Sequence, residues 1–192
     1  EALTTEQEAF EAARGFAGLT RRLSSCSVES IQPTIERFHD LTWRVEQFRE
    51  SLVVAAQSRL EIGTESIATA NRFSFLADEY KTLIDSGILH PRITHNDTKI
   101  NNILFDKETG KALCVIDLDT LMPGYFIYDL GDLIRTCVSP VSEEETDLSK
   151  ILFRRNFYDA VVEGYLSEMG NALSKKELQV VSFSGLMMTY IM

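Results

Sequence analysis

His95-Asn96-Asp97-Thr98-Lys99-Ile100-Asn101-Asn102 reads H-x-D-x-K-x-x-N, and an apolar run then leads to Val115-Ile116-Asp117-Leu118-Asp119. These polar types, in this order, suit the transfer of a phosphoryl group. An Asp can accept the proton of an attacking hydroxyl. An Asn further along can offer its amide oxygen to Mg²⁺, and an Asp at a strand end can hold that metal against nucleotide phosphates. Lys99, close behind Asp97, can neutralise charge on the moving group. Asp97 and Lys99 are therefore the candidate catalytic residues, and Asn102 and Asp117 the candidate metal and nucleotide ligands.

Alone, H-x-D-x-x-x-x-N is a weak signal, because Asn, Asp and Thr are ordinary loop residues. The second element sharpens it. Asp117 closes the next apolar strand, where a hairpin would return it beside Asn102, and carboxylate and amide oxygens suit a hard cation. On an extended chain Asp119 shares a face with Asp117, which makes it a candidate for a second metal or its waters. Asp129, in Tyr128-Asp129-Leu130-Gly131-Asp132, can cap a helix or brace the catalytic loop by accepting backbone N–H bonds; the brace is favoured. His95 reads as a packed histidine that braces the same loop. His39 and His90 give no metal spacing with it, so zinc is not expected.

The elements that must position these residues are mostly helical. Thr5-Glu6-Gln7-Glu8 is a capping box, and Phe10, Ala13, Phe16, Ala17 and Leu23 follow at helical spacing. A polar connection covers 24–33. The pattern then predicts helices over 41–58, with Trp43, Phe48, Leu52 and Ala55 available to the core, and over 67–85, with a break around Gly63. After Pro91 the period changes: a short extended piece at 92–94, a strand at 102–105, a hairpin turn at 106–111 and a returning strand at 112–116. Pro123-Gly124 opens a loop, 128–135 is a short helix, and 139–146, with its run of Glu, is an exposed mobile loop. Helices resume over 148–169 and after a second capping box at Ser174-Lys175-Lys176-Glu177. The expected class is α+β, mostly helical, with one small β-hairpin carrying the polar cluster.

The 192 residues can bury a sizeable core, and 44% hydrophobic with 25% charged residues is ordinary for a globular protein. A net charge of −10 repels phosphate backbones and anionic membranes, so neither nucleic acid nor membrane is an expected partner. No apolar run approaches a membrane span, and no signal peptide is visible. The three widely spaced cysteines fit a reducing, cytoplasmic setting, with Cys114 read as a core thiol in its apolar strand. The apolar run 185–192 lacks a helix stop, which is expected of a truncated end.

On His95 to Asn102 and Asp117 the chain resembles the aminoglycoside phosphotransferase and choline kinase-like superfamily, small-molecule kinases with a protein-kinase-like fold. The resemblance implies that residues 1–192 are a C-terminal lobe whose N-terminal lobe is absent. It also implies that Asp97 is the base, that Asn102 and Asp117 hold Mg²⁺, that Lys99 contacts phosphate, that Asp129 braces the loop and that ATP is the donor. Within the superfamily, 95–106 and 115–124 look like the N-acetylhexosamine 1-kinase branch, and Phe38-His39-Asp40 adds to the likeness. That branch phosphorylates the anomeric hydroxyl of a sugar. Many aminoglycoside kinases have Gly where Asn96 stands. Choline, homoserine, a thiosugar or an aminoglycoside are the alternative acceptors, and a non-catalytic pseudokinase lobe is the reading from another class. Without the Gly-rich loop and strand-borne Lys of the other lobe, little activity is expected from these residues alone. Self-association through surface exposed by truncation is expected as well.

Overall fold

The computed structural model describes residues 3–141 and 145–192. Helix α1 (Glu6–Arg22) starts at the expected capping box and buries Ala9, Ala12, Ala13, Phe16 and Ala17. Its small residues let α7 (Arg155–Met169) lie close, and Gly164 is where the two backbones nearly touch: a methyl group there would collide with the Phe10 carbonyl. Helix α6 (Phe126–Val138) runs through the middle and is buried over most of its length. It packs on α7 and on α9 (Val181–Ile191), with the four-residue α8 (Lys175–Leu178) between these two in the chain.

On the other side stand α2 (Leu41–Val54), α3 (Gln57–Ile62), α4 (Thr64–Phe73) and α5 (Phe75–Asp85). Here the helices are shorter than their sequence pattern. The helix expected over 41–58 ends at Val54, and 57–62 forms its own turn and a half. The helix expected over 67–85 starts at Thr64 and is interrupted at Ser74. These segments rest on the core through few positions. Leu41 and Val45 are the buried residues of α2, and α3 and α4 bury none, so little packing holds one continuous helix against its breaks.

Two small antiparallel pairs carry the polar cluster. Strands β2 (Ile103–Phe105) and β3 (Ala112–Val115) form the expected hairpin, in register Ile103 with Val115 and Leu104 with Cys114. Its turn is set by Asp106, whose Oδ1 accepts from Glu108 N and Thr109 N at 3.1 and 2.7 Å, and by Gly110 at φ +67°. Asn102, expected to open β2, instead ends a 3₁₀ turn at Ile100–Asn102. The second pair was not expected: β1 (Arg92–Thr94) pairs with β4 (Met122–Gly124), so Pro123-Gly124 is a strand rather than a loop.

Other boundaries also move. Helix α6 extends beyond 128–135 at both ends, and 148–150 is a single 3₁₀ turn, with α7 starting only at Arg155. Cys114 is exposed, because the hairpin turns one face to solvent together with Leu113 and Leu104. Of the loop expected over 139–146, residues 142–144 lie outside the described residues. Met187 and Met188 are core, whereas Met192 is exposed.

Candidate active site

The loop from Thr94 to Asn102 is clamped onto α6 from below. Asp129 is fully buried, and its two carboxylate oxygens accept the backbone N–H of Asn96 at 2.8 Å and of His95 at 3.0 Å. One helical turn on, Asp132 Oδ2 accepts the N–H of Thr98 at 2.8 Å and its hydroxyl at 3.3 Å, while Oδ1 takes Arg135 at 2.8 Å. The spacing of these two acids puts both on one face of α6. Asp129 accepts from the loop's backbone, and the N-cap of α6 is Tyr125. Burial raises its pKa, although the two backbone donors work in the opposite direction.

Asn96 takes up the left-handed region, φ +67°, which favours Gly or Asn. Its side chain fastens the loop to β1 and to the turn after Asp117: Nδ2 donates to Thr94 O and Thr120 O, both at 3.0 Å, and Oδ1 accepts from Thr94 Oγ1 at 3.0 Å. His95 is buried and edge-on to Phe16, with rings 5.1 Å apart. Its Nε2 donates to Ile116 O at 3.0 Å, which ties the loop to the residue before Asp117.

Above this foundation Asp97 is partly open. Asn102 Nδ2 donates to Asp97 Oδ2 at 3.0 Å and to the Asp97 carbonyl at 2.9 Å, and Lys99 Nζ stands 3.4 Å from Asp97 Oδ1. With its amide nitrogen spent on Asp97, Asn102 has its amide oxygen left to offer. Ile116 N donates to Asn102 O at 2.9 Å, so the hairpin does bring the start of the Asp117 turn beside Asn102. Asp117 itself is exposed and left-handed, φ +58°. The chain beyond it is a 3₁₀ turn, Leu118–Thr120, and is not extended. The alternation that would put Asp119 on the face of Asp117 therefore does not apply. Asp119 is exposed, and its backbone carbonyl accepts from Thr34 Oγ1 at 3.0 Å.

Among the described residues no three His, Cys, Asp or Glu side chains are grouped to hold a metal. The candidate oxygen donors are Asn102 and Asp117, whose backbones meet through the bond from Ile116 N to Asn102 O. That set fits Mg²⁺, which keeps several waters and takes one or two protein oxygens together with substrate phosphates.

Beside the loop opens a cleft of about 1580 Å³. Lys99, Ile100 and Asn101 form one edge, and Phe73, Phe153, Leu186 and Tyr190 supply much of the apolar wall. Of the acidic run at 143–145, Glu145 reaches the cleft but its carboxylate is met by Lys150 at 3.1 Å; residues 143 and 144 are outside the described residues. The sequence reading missed Asn96, Thr98 and Asp132 as parts of the loop's framework. The spacing of Asp132 from Asp129 on a helix was the available signal.

The model of the phosphotransferase enzyme family known as APH matches residues 1–172, and the chain belongs to this family. Its mostly helical fold with small antiparallel pairs is that of the family. Among solved structures, the crystal structure of an aminoglycoside-3'-phosphotransferase of type VIII is similar at 17% sequence identity and a TM-score of 0.45, over 98% of this chain and 63% of that one. This chain thus spans less than two thirds of that protein's length. Among the described residues no helix is long and apolar enough to cross a membrane.

Proposed function

We propose that these residues are the catalytic lobe of an ATP-dependent phosphotransferase acting on a hydroxyl of a small molecule, the anomeric hydroxyl of an N-acetylhexosamine. The observation that carries the reading is the junction of the loop and the hairpin: Asn102 donates to the Asp97 carboxylate at 3.0 Å and accepts, through its carbonyl, from Ile116 N at 2.9 Å. The candidate base and the start of the turn that bears Asp117 thereby meet at Asn102, and Lys99, paired with Asp97, lines the cleft beside them. The sugar is supported by the likeness of residues 95–106 and 115–124 to N-acetylhexosamine 1-kinases.

In this mechanism the acceptor lies in the cleft beside Lys99, with its hydroxyl directed at Asp97. Asp97 orients that hydroxyl and takes its proton as the oxygen attacks the γ-phosphate. Lys99 neutralises charge on the transferred group, and its pairing with Asp97 holds it near the line of attack. Asn102 fixes the Asp97 carboxylate through its amide nitrogen and, with Asp117, would hold Mg²⁺. When bound, that ion neutralises and aligns the nucleotide phosphates. The expected catalysis is mainly positioning and charge neutralisation.

The test is ADP formation by the longest reading frame that contains residues 1–192, with a panel of acceptors. Turnover with N-acetylglucosamine or N-acetylgalactosamine, and phosphate on C1 of the product, is expected. Turnover only with choline, homoserine, a thiosugar or an aminoglycoside would remove the sugar and keep the phosphotransferase. Nucleotide binding without turnover of any acceptor would favour a pseudokinase.

A further inference from the structure

The peptide group joining Asn96 to Asp97 is held at both ends by a histidine ring. His39 Nε2 lies 2.8 Å from Asn96 O, and the N–H of the same peptide, on Asp97, is directed at His95 Nδ1 at 3.3 Å. A carbonyl oxygen can only accept, so His39 carries a proton on Nε2. His95 Nδ1 accepts, so the His95 proton also sits on Nε2, where it donates to Ile116 O. The two rings thus share one tautomer and grip one plane.

That plane needs holding. Asn96 is left-handed, and neighbouring turn geometries are reached from such a residue by rotating the peptide that follows it. Rotation here would re-aim the Asp97 side chain. His39 is itself firmly placed. Arg44 donates twice to the Phe38 carbonyl, at 3.2 and 2.9 Å, and Asp40 caps α2 by accepting from Trp43 N at 3.1 Å. The His39 ring packs against Phe38 and Tyr128 at 4.2 and 5.3 Å.

His39 is only 4% exposed, yet its Nδ1 finds no hydrogen-bond partner among the described residues. An unmet buried acceptor of this kind carries a desolvation cost that a Leu in the same place would not incur. Burial also lowers the pKa of His39, keeping the ring neutral, in agreement with the geometry. The same segment touches the other half of the site, where Thr34 Oγ1 donates to Asp119 O.

We propose that His39 is a positioning residue for phosphoryl transfer: through the Asn96 carbonyl it fixes the peptide plane that aims the Asp97 carboxylate. The proposal rests on Asp97 being the base in the function proposed above. It is tested in the longest reading frame containing this chain, as wild type, His39→Leu and His39→Gln. Gln keeps an N–H donor for the Asn96 carbonyl, whereas Leu fills the space without one.

The first readout is the ¹⁵N spectrum of histidine-labelled wild type at pH 7, in which His39 is expected as the neutral Nε2–H tautomer. An Nδ1–H ring or an imidazolium would overturn the clamp without any variant being made. The second is amide exchange at Asp97, expected to quicken in His39→Leu and to return towards wild type in His39→Gln. The third is kinetics. His39→Leu should lower kcat about tenfold or more with the KM for ATP within about twofold, and His39→Gln should recover most of the loss. A kcat for His39→Leu within about twofold of wild type, or a loss that His39→Gln fails to rescue, would overturn the positioning role. Wild type that transfers phosphate to no acceptor would overturn the base assignment, and with it the catalytic part of this proposal; the spectra and exchange would still decide for or against the clamp.

Discussion

Asp97 stands on a loop whose neighbours His95, Asn96 and Thr98 are buried and bonded, whereas Asp117 and Asp119 stand exposed on a 3₁₀ turn. The first half of the site is determined several times over: Asp129 and Asp132 from α6, the Asn96 amide bonded to the Thr94 and Thr120 carbonyls, and the ring of His95 all fix one short stretch of backbone. In the second half, backbone contacts place the turn and the carboxylates face solvent. A group that must direct a proton within a narrow angle needs preorganised surroundings. Oxygens that meet a hydrated cation need only to be near one another and reachable. The contrast predicts that substitutions in the first half damage geometry and stability, while those in the second damage binding and leave the fold intact.

The largest effect is expected from Asp97→Asn. It keeps the shape and the bond to Asn102 and removes the base, so kcat should fall by about 10²–10⁴ with little change in nucleotide affinity. Steady-state kinetics beside nucleotide titration measures both, and an equal loss of the two would contradict the assignment. Next comes Asp129→Ala, which strands the N–H groups of His95 and Asn96 in the interior. Each unmet buried donor costs about 1–3 kcal/mol, so the unfolding free energy should drop by several kcal/mol in denaturant titrations. A loss under about 1 kcal/mol would mean that the loop is held elsewhere.

Much of this asymmetry could be read in the sequence, and part of it could not. The capping box at Thr5, the hairpin and the brace at Asp129 rest on local chemistry: a hydroxyl and a carboxylate at fixed spacing, an Asp before a Gly turn, an acid in an apolar helix. The β1–β4 pairing joins residues about thirty positions apart through three-residue strands, too short to show a period. The breaks at Ala55 and Ser74 were hidden for a related reason, because helix propensity continues across them and tertiary contact is what fails. The reach of Thr98 to Asp132 and of His39 to Asn96 depends on the folded path of the chain. Asp119 was misplaced because an extended chain was assumed where Asp117 turns left-handed.

A third anchor makes the comparison sensitive to pH. Strand β1 leads into the loop of Asp97 and is held at its start by Arg92, whose Nη1 and Nη2 meet the buried Glu177 carboxylate at 2.5 and 3.1 Å. Ser174 N adds a bond at 2.8 Å and His90 N one at 3.3 Å. Burial works against the charge, but Arg92 and these donors outweigh it and bring the Glu177 pKa from 4.5 down to about 2. A carboxyl depressed in the folded state gives stability that is fully present above its unfolded pKa and is lost as pH falls through the folded one. This pair should therefore contribute about 3 kcal/mol at neutral pH, fading between about pH 4.5 and 2. Unfolding of wild type and Glu177→Gln at pH 7 and pH 3 checks it: the gap between the two should narrow in acid. A gap of the same size at both would show that the carboxylate's charge contributes nothing.

The smallest effect on the fold should come from Asp117→Asn, and that smallness is informative. Asp117 is exposed at φ +58°, a region Asn occupies at least as readily as Asp, and its side chain accepts no hydrogen bond as cap of the turn that follows. Stability should stay within about 0.5 kcal/mol of wild type. Binding of Mg²⁺ together with nucleotide should nevertheless weaken strongly, because an amide carries no charge to offset the cation's. A large loss of stability would show that this turn is as firmly built into the fold as the loop of Asp97, and the division of the site into a fixed half and an open half would fall.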